Sequence, residues 1–233
     1  MSAFLFSKKT GLLMGIKNKW QNPVLNFLAV ILGVYLAFYI NENAKSNNDR
    51  KESFIWLKSL QTDLTDDIRS YEEYQIPVNK QHLQNVDTLL NALATVPQPE
   101  TASLLGAIFD VQNYAPVTST YSSMKASGKF ALIEDMALKK QLTDYYESTV
   151  SESMAKGRFQ VDYFTDELLV WMTNHADLQT MSFRADTDFT VLKNKLLIYS
   201  GAIEQKVENY ERIVQESKAL SDAINTYLQQ SQH

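Results

Sequence analysis

The sequence predicts an all-α protein in which an N-terminal transmembrane helix precedes an elongated helical bundle containing a long antiparallel hairpin. Three observations lead to this fold class. Glycine and proline are scarce, with 7 and 5 among 233 residues, so few residues suit the tight turns of a many-stranded protein. Residues 24–40 are almost entirely apolar. Two later stretches of about 40 residues each repeat their apolar residues at helical spacing.

The apolar run is interpreted as a transmembrane helix over residues 23–41. From Val24 to Ile40 it contains one polar side chain, Asn26, and as a helix it measures about 25 Å, near the lower limit for the ~30 Å hydrocarbon core. Asn22 and Pro23 fit a helix N-cap and the first helical position. The predicted span includes Val24, Leu28, Ile31, Gly33, Tyr35 and Ile40.

Two alternatives to an uncleaved anchor are a cleaved signal peptide and a buried core helix. The stretch after Ile40, NENAKSNND, offers no small-x-small cleavage site. A core helix is seldom apolar on every face over such a length. We therefore expect an anchor whose partner is the lipid bilayer.

Charge asymmetry predicts the topology. Four lysines precede the first acidic residue, Glu42, and positive residues favour the cytoplasmic side. Residues 1–22 are then a cytoplasmic segment, basic and amphipathic, which either lies on anionic lipid headgroups or is a disordered tail. Residues 42–233 form an exported helical domain. These expectations give a single-pass protein whose C-terminal domain is exported from the cytoplasm.

Charge and cysteine content also exclude classes of function. The chain has no cysteine, so thiol nucleophiles, disulfides and cysteine-ligated metals are excluded. The net charge is −5, and the acidic excess lies after the apolar run. Such a domain repels phosphate, and we expect no nucleic-acid partner.

Helix boundaries in the exported domain follow from proline, glycine and apolar spacing. Neither glycine nor proline occurs from residue 34 to 76, so the anchor helix is expected to continue into the domain. Pro77 is expected to end it, with helices following at about 79–96 and 100–113. Asp66 and Asp67 are expected on the solvated side. The predicted core-facing residues are Leu57, Leu60, Leu64, Ile68, Tyr71, Leu83, Val86, Leu90 and Leu93.

The second half of the sequence predicts the long antiparallel hairpin. Residues 114–133 lose any clear period and are expected to form a loop with one short helix that ends at Gly128. Asp135 is predicted to cap a helix that runs to about His175, and a last helix covers about 189–230. Each is about 60 Å long. A loop near 176–188 joins them, so they should pack side by side in opposite directions.

Two stretches carry a resemblance to a known family: LGVYLAFYINEN at 32–43 and TYSSMKASGKFALIEDMALKKQLTDYY at 120–146. The pattern resembles a domain-of-unknown-function family of bacterial single-pass membrane proteins with an exported, all-helical domain. The resemblance implies the fold and the placement: a bacterial inner membrane, with the C-terminal domain in the periplasm. It implies no activity and no catalytic residues.

The second of these stretches contains a candidate recognition surface: Lys125, Ser127, Gly128 and Lys129. One interpretation is that these polar residues bind a protein partner or a small anion. The other is structural: Gly128 adopts the left-handed cap conformation, and the residues after it fold back on the core.

No catalytic, cofactor or metal site is predicted. Two Ser-x-x-Lys matches, at 122–125 and 153–156, fit the motif of penicillin-binding enzymes, but the companion SDN and KTG motifs are missing. His82 and His175 lack the Glu-x-x-His spacing of di-iron bundles, and lone helical histidines are more often surface or core-edge residues than ligands. Residues 186–188 suit helix capping better than a calcium loop.

The expected function is a non-enzymatic, membrane-anchored interaction or scaffold protein, with a protein partner or a second copy of the chain as its ligand. The alternative is a periplasmic sensor bundle that binds a small ligand and signals through anchor dimerisation or a partner protein. A sensor should show convergent polar groups between helices, whereas a scaffold should expose an apolar patch.

Overall fold

Helix dominates the computed structural model, which describes residues 23–95, 99–180 and 182–230. This confirms the all-α fold class. The chain divides into two compact units after Asp49, and each is treated by itself. The predictions for residues 1–22, including the basic amphipathic segment and the Asn22 cap, lie outside the described residues.

The first unit contains the start of helix α1 (Pro23–Ser70). The helix carries an 18-residue window with a mean hydropathy of 1.6, none of which is buried. Its large apolar side chains are widely exposed, for example Phe38 at 70% and Tyr35 at 68%. Length and composition therefore suit a helix that crosses a membrane. A core helix is mostly buried, and this window has no buried residue.

The second unit begins within α1 and is built from long helices. Helix α1 continues through one π-helical turn, Tyr71–Gln75, into α2 (Ile76–Thr95). The elements that follow are a 3₁₀ helix (Pro99–Phe109), α3 (Ser119–Ala126), a 3₁₀ turn (Lys129–Leu132), α4 (Met136–Thr143), α5 (Val150–Tyr163), α6 (Val170–His175), β1 (Ala176–Asp177), β2 (Ser182–Phe183) and α7 (Phe189–Gln230). Two further π-helical turns, Asp144–Thr149 and Phe164–Leu169, join α4, α5 and α6 end to end.

Pro77 does not end the first helix, so that prediction is wrong. The π-helical turn directly before it explains the difference. In that turn the N–H of Ile76 bonds to the carbonyl of Tyr71, one residue further back than in an α-helix. The wider turn accommodates a residue that has no N–H and whose ring would strike the preceding turn of a regular helix.

The predicted antiparallel hairpin is confirmed. Contacts between α4–α6 and α7 join residues 72 apart in sequence at Tyr145 and Ser217, and residues 28 apart at Glu167 and Lys195. This steady decrease is the signature of two helices running in opposite directions. The loop between them contains a two-stranded antiparallel ribbon that pairs Ala176 with Phe183.

The first long helix also runs antiparallel to α7. The Gln61 amide bonds to Asn225 at 2.6 Å, and the Ser200 hydroxyl bonds to Asp87 at 2.8 Å. The first helix and α4–α6 therefore run in the same direction, and residues 99–135 must return along the bundle. This unit is an up–down–up–down bundle whose second element consists of short helical segments with an irregular stretch at 110–118.

Two apolar clusters fill the interior, one at each end of the bundle. The first gathers residues from 57–71, 121–150 and 210–228, and the second gathers residues from 86–108 and 168–207. The apolar residues that recur at helical spacing along α7, among them Leu192, Leu196 and Ile203, are buried. In α2, however, Leu83 and Leu90 are only half-buried, and the buried face contains Asn79 and His82 instead. Because polar residues interrupt the apolar stripe of α2, the apolar spacing alone did not identify its buried face.

The segment around Gly128 forms the helix end that the structural interpretation predicted. Gly128 has φ 74°, the left-handed conformation that ends α3, and Ile133 behind it is fully buried. Asp135 caps α4 by accepting from the N–H groups of Ala137 at 2.7 Å and Leu138 at 3.1 Å. Both local predictions are confirmed.

Candidate functional site

The structure divides the candidate recognition surface. Lys125 pairs with Glu147, and Lys129 pairs with Glu52 at 2.8 Å. The Ser127 hydroxyl donates to the carbonyl of Ser123 within its own helix end. Because each lysine already has a carboxylate partner, neither is a free cation for an anionic ligand. Recognition by these residues stays a prediction.

Lys125 does, however, border an open groove between α3 and α5. The groove has a volume of about 650 Å³ and is lined by both aromatic and charged side chains, among them Tyr121, Tyr146 and Glu147. Ser151 and Met154 also line the neighbouring depression on α5, which extends to Phe159. Met154 and Phe159 are 45% and 53% exposed. Together they give the outer face of α5 a partly apolar surface.

A second candidate site lies inside the bundle, between the two apolar clusters. We call it the central polar layer: Tyr71, Gln75, Asn79 and His82 of the first long helix, Ser153 and Gln160 of α5, and Lys206 and Asn209 of α7. Each of these side chains is at least nine-tenths buried. Buried polar side chains are uncommon without a structural or functional reason.

Lys206 is the central charge of this layer. Its side chain is fully buried, and its Nζ donates to the carbonyl of Gln112 at 2.6 Å and to Oε1 of Gln160. The Gln160 amide in turn donates to the Tyr199 hydroxyl at 3.3 Å, and that hydroxyl donates to the carbonyl of Ile108 at 3.2 Å. Burial lowers the pKa of Lys206 to about 7, against the opposing effect of Asp110.

The polar layer holds the irregular connection in place. Residues 110–118, here called the strap, form neither helix nor strand, so their backbone groups need other partners. The Tyr210 hydroxyl supplies one, accepting from the N–H of Tyr114 at 3.1 Å and donating to Oδ1 of Asn113 at 3.1 Å. Lys206 supplies another through Gln112. The buried polar groups of α7 thus replace the hydrogen bonds that a helix would have made.

Asp67 anchors the other end of the strap. Its carboxylate accepts from the Tyr114 hydroxyl at 2.8 Å and from the N–H of Val117 at 3.0 Å. Burial raises its pKa, although both hydrogen bonds act in the opposite direction. The expectation that Asp67 is solvated is therefore wrong, because the strap covers this side of α1.

Several groups in the layer remain without hydrogen-bond partners among the described residues. They include both ring nitrogens of His82, Oδ1 of Asn79 and the amide of Asn209. Burial lowers the pKa of His82 to about 4, and the charge of Lys206 contributes. A buried polar group without a partner costs about 1–3 kcal/mol relative to a paired one. His82 is also not the surface or core-edge residue that a lone helical histidine usually is.

A close contact fixes the strap against α5. A Cβ added at Gly157 would stand 2.9 Å from Cγ of Asn113 and still nearer to its amide atoms. Gly157→Ala should displace Asn113 from Tyr210 and lower the free energy of unfolding by about 1–3 kcal/mol. Urea titration measures this change.

Gly201→Ala in α7 is the matched control for Gly157→Ala. It meets no atom within 4 Å and should stabilise the protein by about 0.5–1 kcal/mol, since alanine favours helix over glycine. Equal effects of the two substitutions would contradict the close packing of the strap.

The Ser-x-x-Lys and histidine residues considered as catalytic or metal-binding candidates do not come together in one site. Lys156 pairs with Glu152 at 2.9 Å, and Ser153 is buried without a hydrogen-bond partner among the described residues. His175 bonds through Nδ1 to the carbonyl of Trp171 at 2.8 Å, on a different helix from His82. Within the ranges the structure describes, no three His, Asp or Glu side chains form a group able to hold a metal ion.

Sequence reasoning missed most of the polar layer. The apolar stripe of the first long helix continues at the same spacing through Tyr71, Gln75, Asn79 and His82 to Val86. Extending the stripe through polar residues would have found them. The partners on α7 and the strap carry no local signal, because they meet only in the folded bundle.

The fold and the site define a helical-bundle protein with an uncovered apolar N-terminal helix and a polar layer across its interior. The chain belongs to the family of unknown function DUF6090, which matches residues 26–168. This range contains both stretches on which the family resemblance was based. No curated protein and no solved structure matches the chain.

Proposed function

We propose that this protein is a single-pass protein of the bacterial inner membrane whose periplasmic helical domain is a non-enzymatic interaction or scaffold module. One observation carries the proposal: the apolar side chains from Leu25 to Ile40 are exposed on every face of their helix. A surface this apolar is stable only when lipid or another protein covers it. Lipid fits best, because the apolar stretch has the length of a membrane span.

The four lysines before the span support a cytoplasmic N-terminus. Alkaline phosphatase is active only after export, so a fusion after His233 tests this topology in a bacterial host. We expect an active fusion. An inactive fusion at normal expression would reverse the topology, whereas a protein that carbonate washing releases from membranes would contradict the anchor itself.

The partly apolar face of α5 supports a role in protein interaction. A photo-crosslinking residue at Met154 should capture one defined partner, or a second copy of the chain, in intact membranes. The same residue at Asp222, which is exposed on α7, serves as the control and should not capture it. Capture at both positions, or at neither, would contradict a binding face on α5.

The central polar layer favours a second candidate, the small-ligand sensor. Its unpaired groups include donors and acceptors from α2 and α7, which is the arrangement that a polar ligand between helices requires. A small polar ligand should raise the unfolding temperature of the intact domain, and Asn209→Leu should abolish that rise. Absence of any such ligand in a metabolite screen would leave the scaffold role as the better supported one.

A further inference from the structure

The strap is joined to the bundle by a charge that has no counter-ion. Lys206 is fully buried, yet both of its hydrogen-bond acceptors are neutral: the carbonyl of Gln112 on the strap and the amide of Gln160 on α5. Among the described residues no carboxylate lies within ion-pair distance of its Nζ. A buried ammonium without a carboxylate is costly, because neutral acceptors compensate only part of the lost hydration.

The surroundings of the strap make it the part of the bundle that can open. It forms neither helix nor strand, it is held by side chains, and the polar layer behind it contains unpaired groups. Two of its side chains, Val111 and Tyr114, pack against the apolar clusters, and both are partly buried. A segment without regular backbone hydrogen bonds opens locally at lower free energy than the helices around it.

We propose that Lys206 is a proton-sensitive latch: proton uptake by its buried amine loosens the strap, and proton release tightens it. The reason is hydration. When the amine is charged, opening the strap gives it access to water, which favours the open state. When the amine is neutral, burial costs little, and the closed state with its two hydrogen bonds is favoured. This device goes beyond the proposed function and does not depend on it.

The groups that face Lys206 belong to three elements. His82 approaches from α2, Asp110 from the strap, and Tyr210 from the next turn of α7, with Nζ 5.9 Å from the centre of its ring. The residue on α5 is the uncharged Gln160. The pKa of His82 is lowered to about 4, and burial raises the pKa of Tyr210 above its ordinary value near 10. Neither group titrates between pH 7 and 9, so Lys206 governs that window.

The sign of the pH dependence follows from linkage. The closed state binds the proton with a pKa of about 7, and the open state with the ordinary lysine value of 10.5. The open state therefore binds more protons above pH 7, and opening becomes more favourable as the pH falls. The opening constant should rise roughly fifty-fold between pH 9 and pH 7, and less than about two-fold further at pH 6.

Hydrogen exchange of the strap amides tests the proposal on the full chain. The N–H groups of Tyr114 and Val117 are the reporters, since their hydrogen bonds join the strap to Tyr210 and Asp67. Their protection factors, corrected for intrinsic exchange, should fall roughly fifty-fold from pH 9 to pH 7. Amides of Leu64 in the first long helix should show no such change. Equal protection of the strap at both pH values would overturn the latch.

Substitutions at the latch should remove the pH dependence. Lys206→Met has no group that titrates and should give the same protection at both pH values, at a level lowered by the loss of the hydrogen bonds to Gln112 and Gln160. Lys206→Arg stays charged throughout and should give low protection at both. Lys80→Met, which removes an exposed lysine paired with Glu211, should retain the pH dependence of the unmodified protein.

Retention of the pH dependence in Lys206→Met or Lys206→Arg would assign it to another group and overturn the proposal. If neither variant folds, ¹⁵N NMR of the lysine amines in the unmodified protein decides the question. One amine should then titrate near pH 7, and its midpoint should coincide with the change in strap protection. Titration of all amines above pH 9 would overturn the proposal.

Discussion

Replacing Leu32 and Leu36 with arginine is expected to remove the protein from the membrane fraction. Both side chains lie in the middle of the apolar stretch, where they are 59% and 51% exposed. Each arginine near the centre of a membrane helix costs about 2.5–3.5 kcal/mol, and the pair therefore cancels much of the insertion free energy of a span that is already short. The measurement is an immunoblot of carbonate-washed membranes and supernatant from bacterial cells.

The control places the same charges just beyond the span, as Ser46→Arg and Asn47→Arg. These positions are also exposed on α1 but lie in its polar part, so the protein should stay with the membrane pellet. The helical domain should keep its unfolding temperature in both variants, because residues from Arg50 onward form their own compact unit. Retention of both variants in the pellet would show that something other than this helix holds the protein at the membrane.

The fold was largely predictable because helical periodicity is a local property. The long helices of the hairpin carry apolar residues every three or four positions, and their ends coincide with recognisable caps such as Asp135. Two antiparallel helices of similar length joined by a short loop leave few other ways to pack. The hairpin could thus be derived from spacing and loop length alone.

Pro77 shows where local rules fail. Proline normally ends or kinks a helix, but here one π-helical turn accommodates Pro77 and the helix continues. The sequence around Tyr71 does not predict that turn. The Tyr71 ring at the start of this turn packs against Tyr210, with 4.8 Å between the ring centres. Contacts of this kind join residues far apart in the chain, and rules based on neighbouring residues do not include them.

The candidate site was hidden for the same reason. Asn79, His82 and Lys206 look like surface residues when polarity alone is considered. Lys206 is buried where it bonds to the strap, at the Gln112 carbonyl. Among the described residues no hydrogen bond joins Asn79 or His82 to the strap, and the Asn79 amide donates to Gln75 on its own helix. Their burial follows from the packing of segments far apart in the sequence, which cannot be inferred before the path of the chain is known.

Asp67→Ala is expected to lower the stability of the domain more than any other prediction made for a single side chain. The Asp67 carboxylate receives hydrogen bonds from two donors, Tyr114 and Val117. An alanine accepts from neither, so the Tyr114 hydroxyl and the Val117 N–H both lose their partner. We expect a loss of about 2–4 kcal/mol in the free energy of unfolding, which lowers the melting temperature by roughly 5–15 °C for a domain of this size.

Asp66→Ala provides the matched control, since it makes the same chemical change one residue earlier. Asp66 is 54% exposed and pairs with Arg69 on the surface, at 2.8 Å. Exposed pairs of this kind contribute little, and the control should lose no more than about 0.5 kcal/mol. Thermal unfolding followed by circular dichroism compares the two variants. Similar melting temperatures would mean that water replaces Asp67 as the partner of the strap at no cost, and the strap would then not depend on this buried carboxylate for its position.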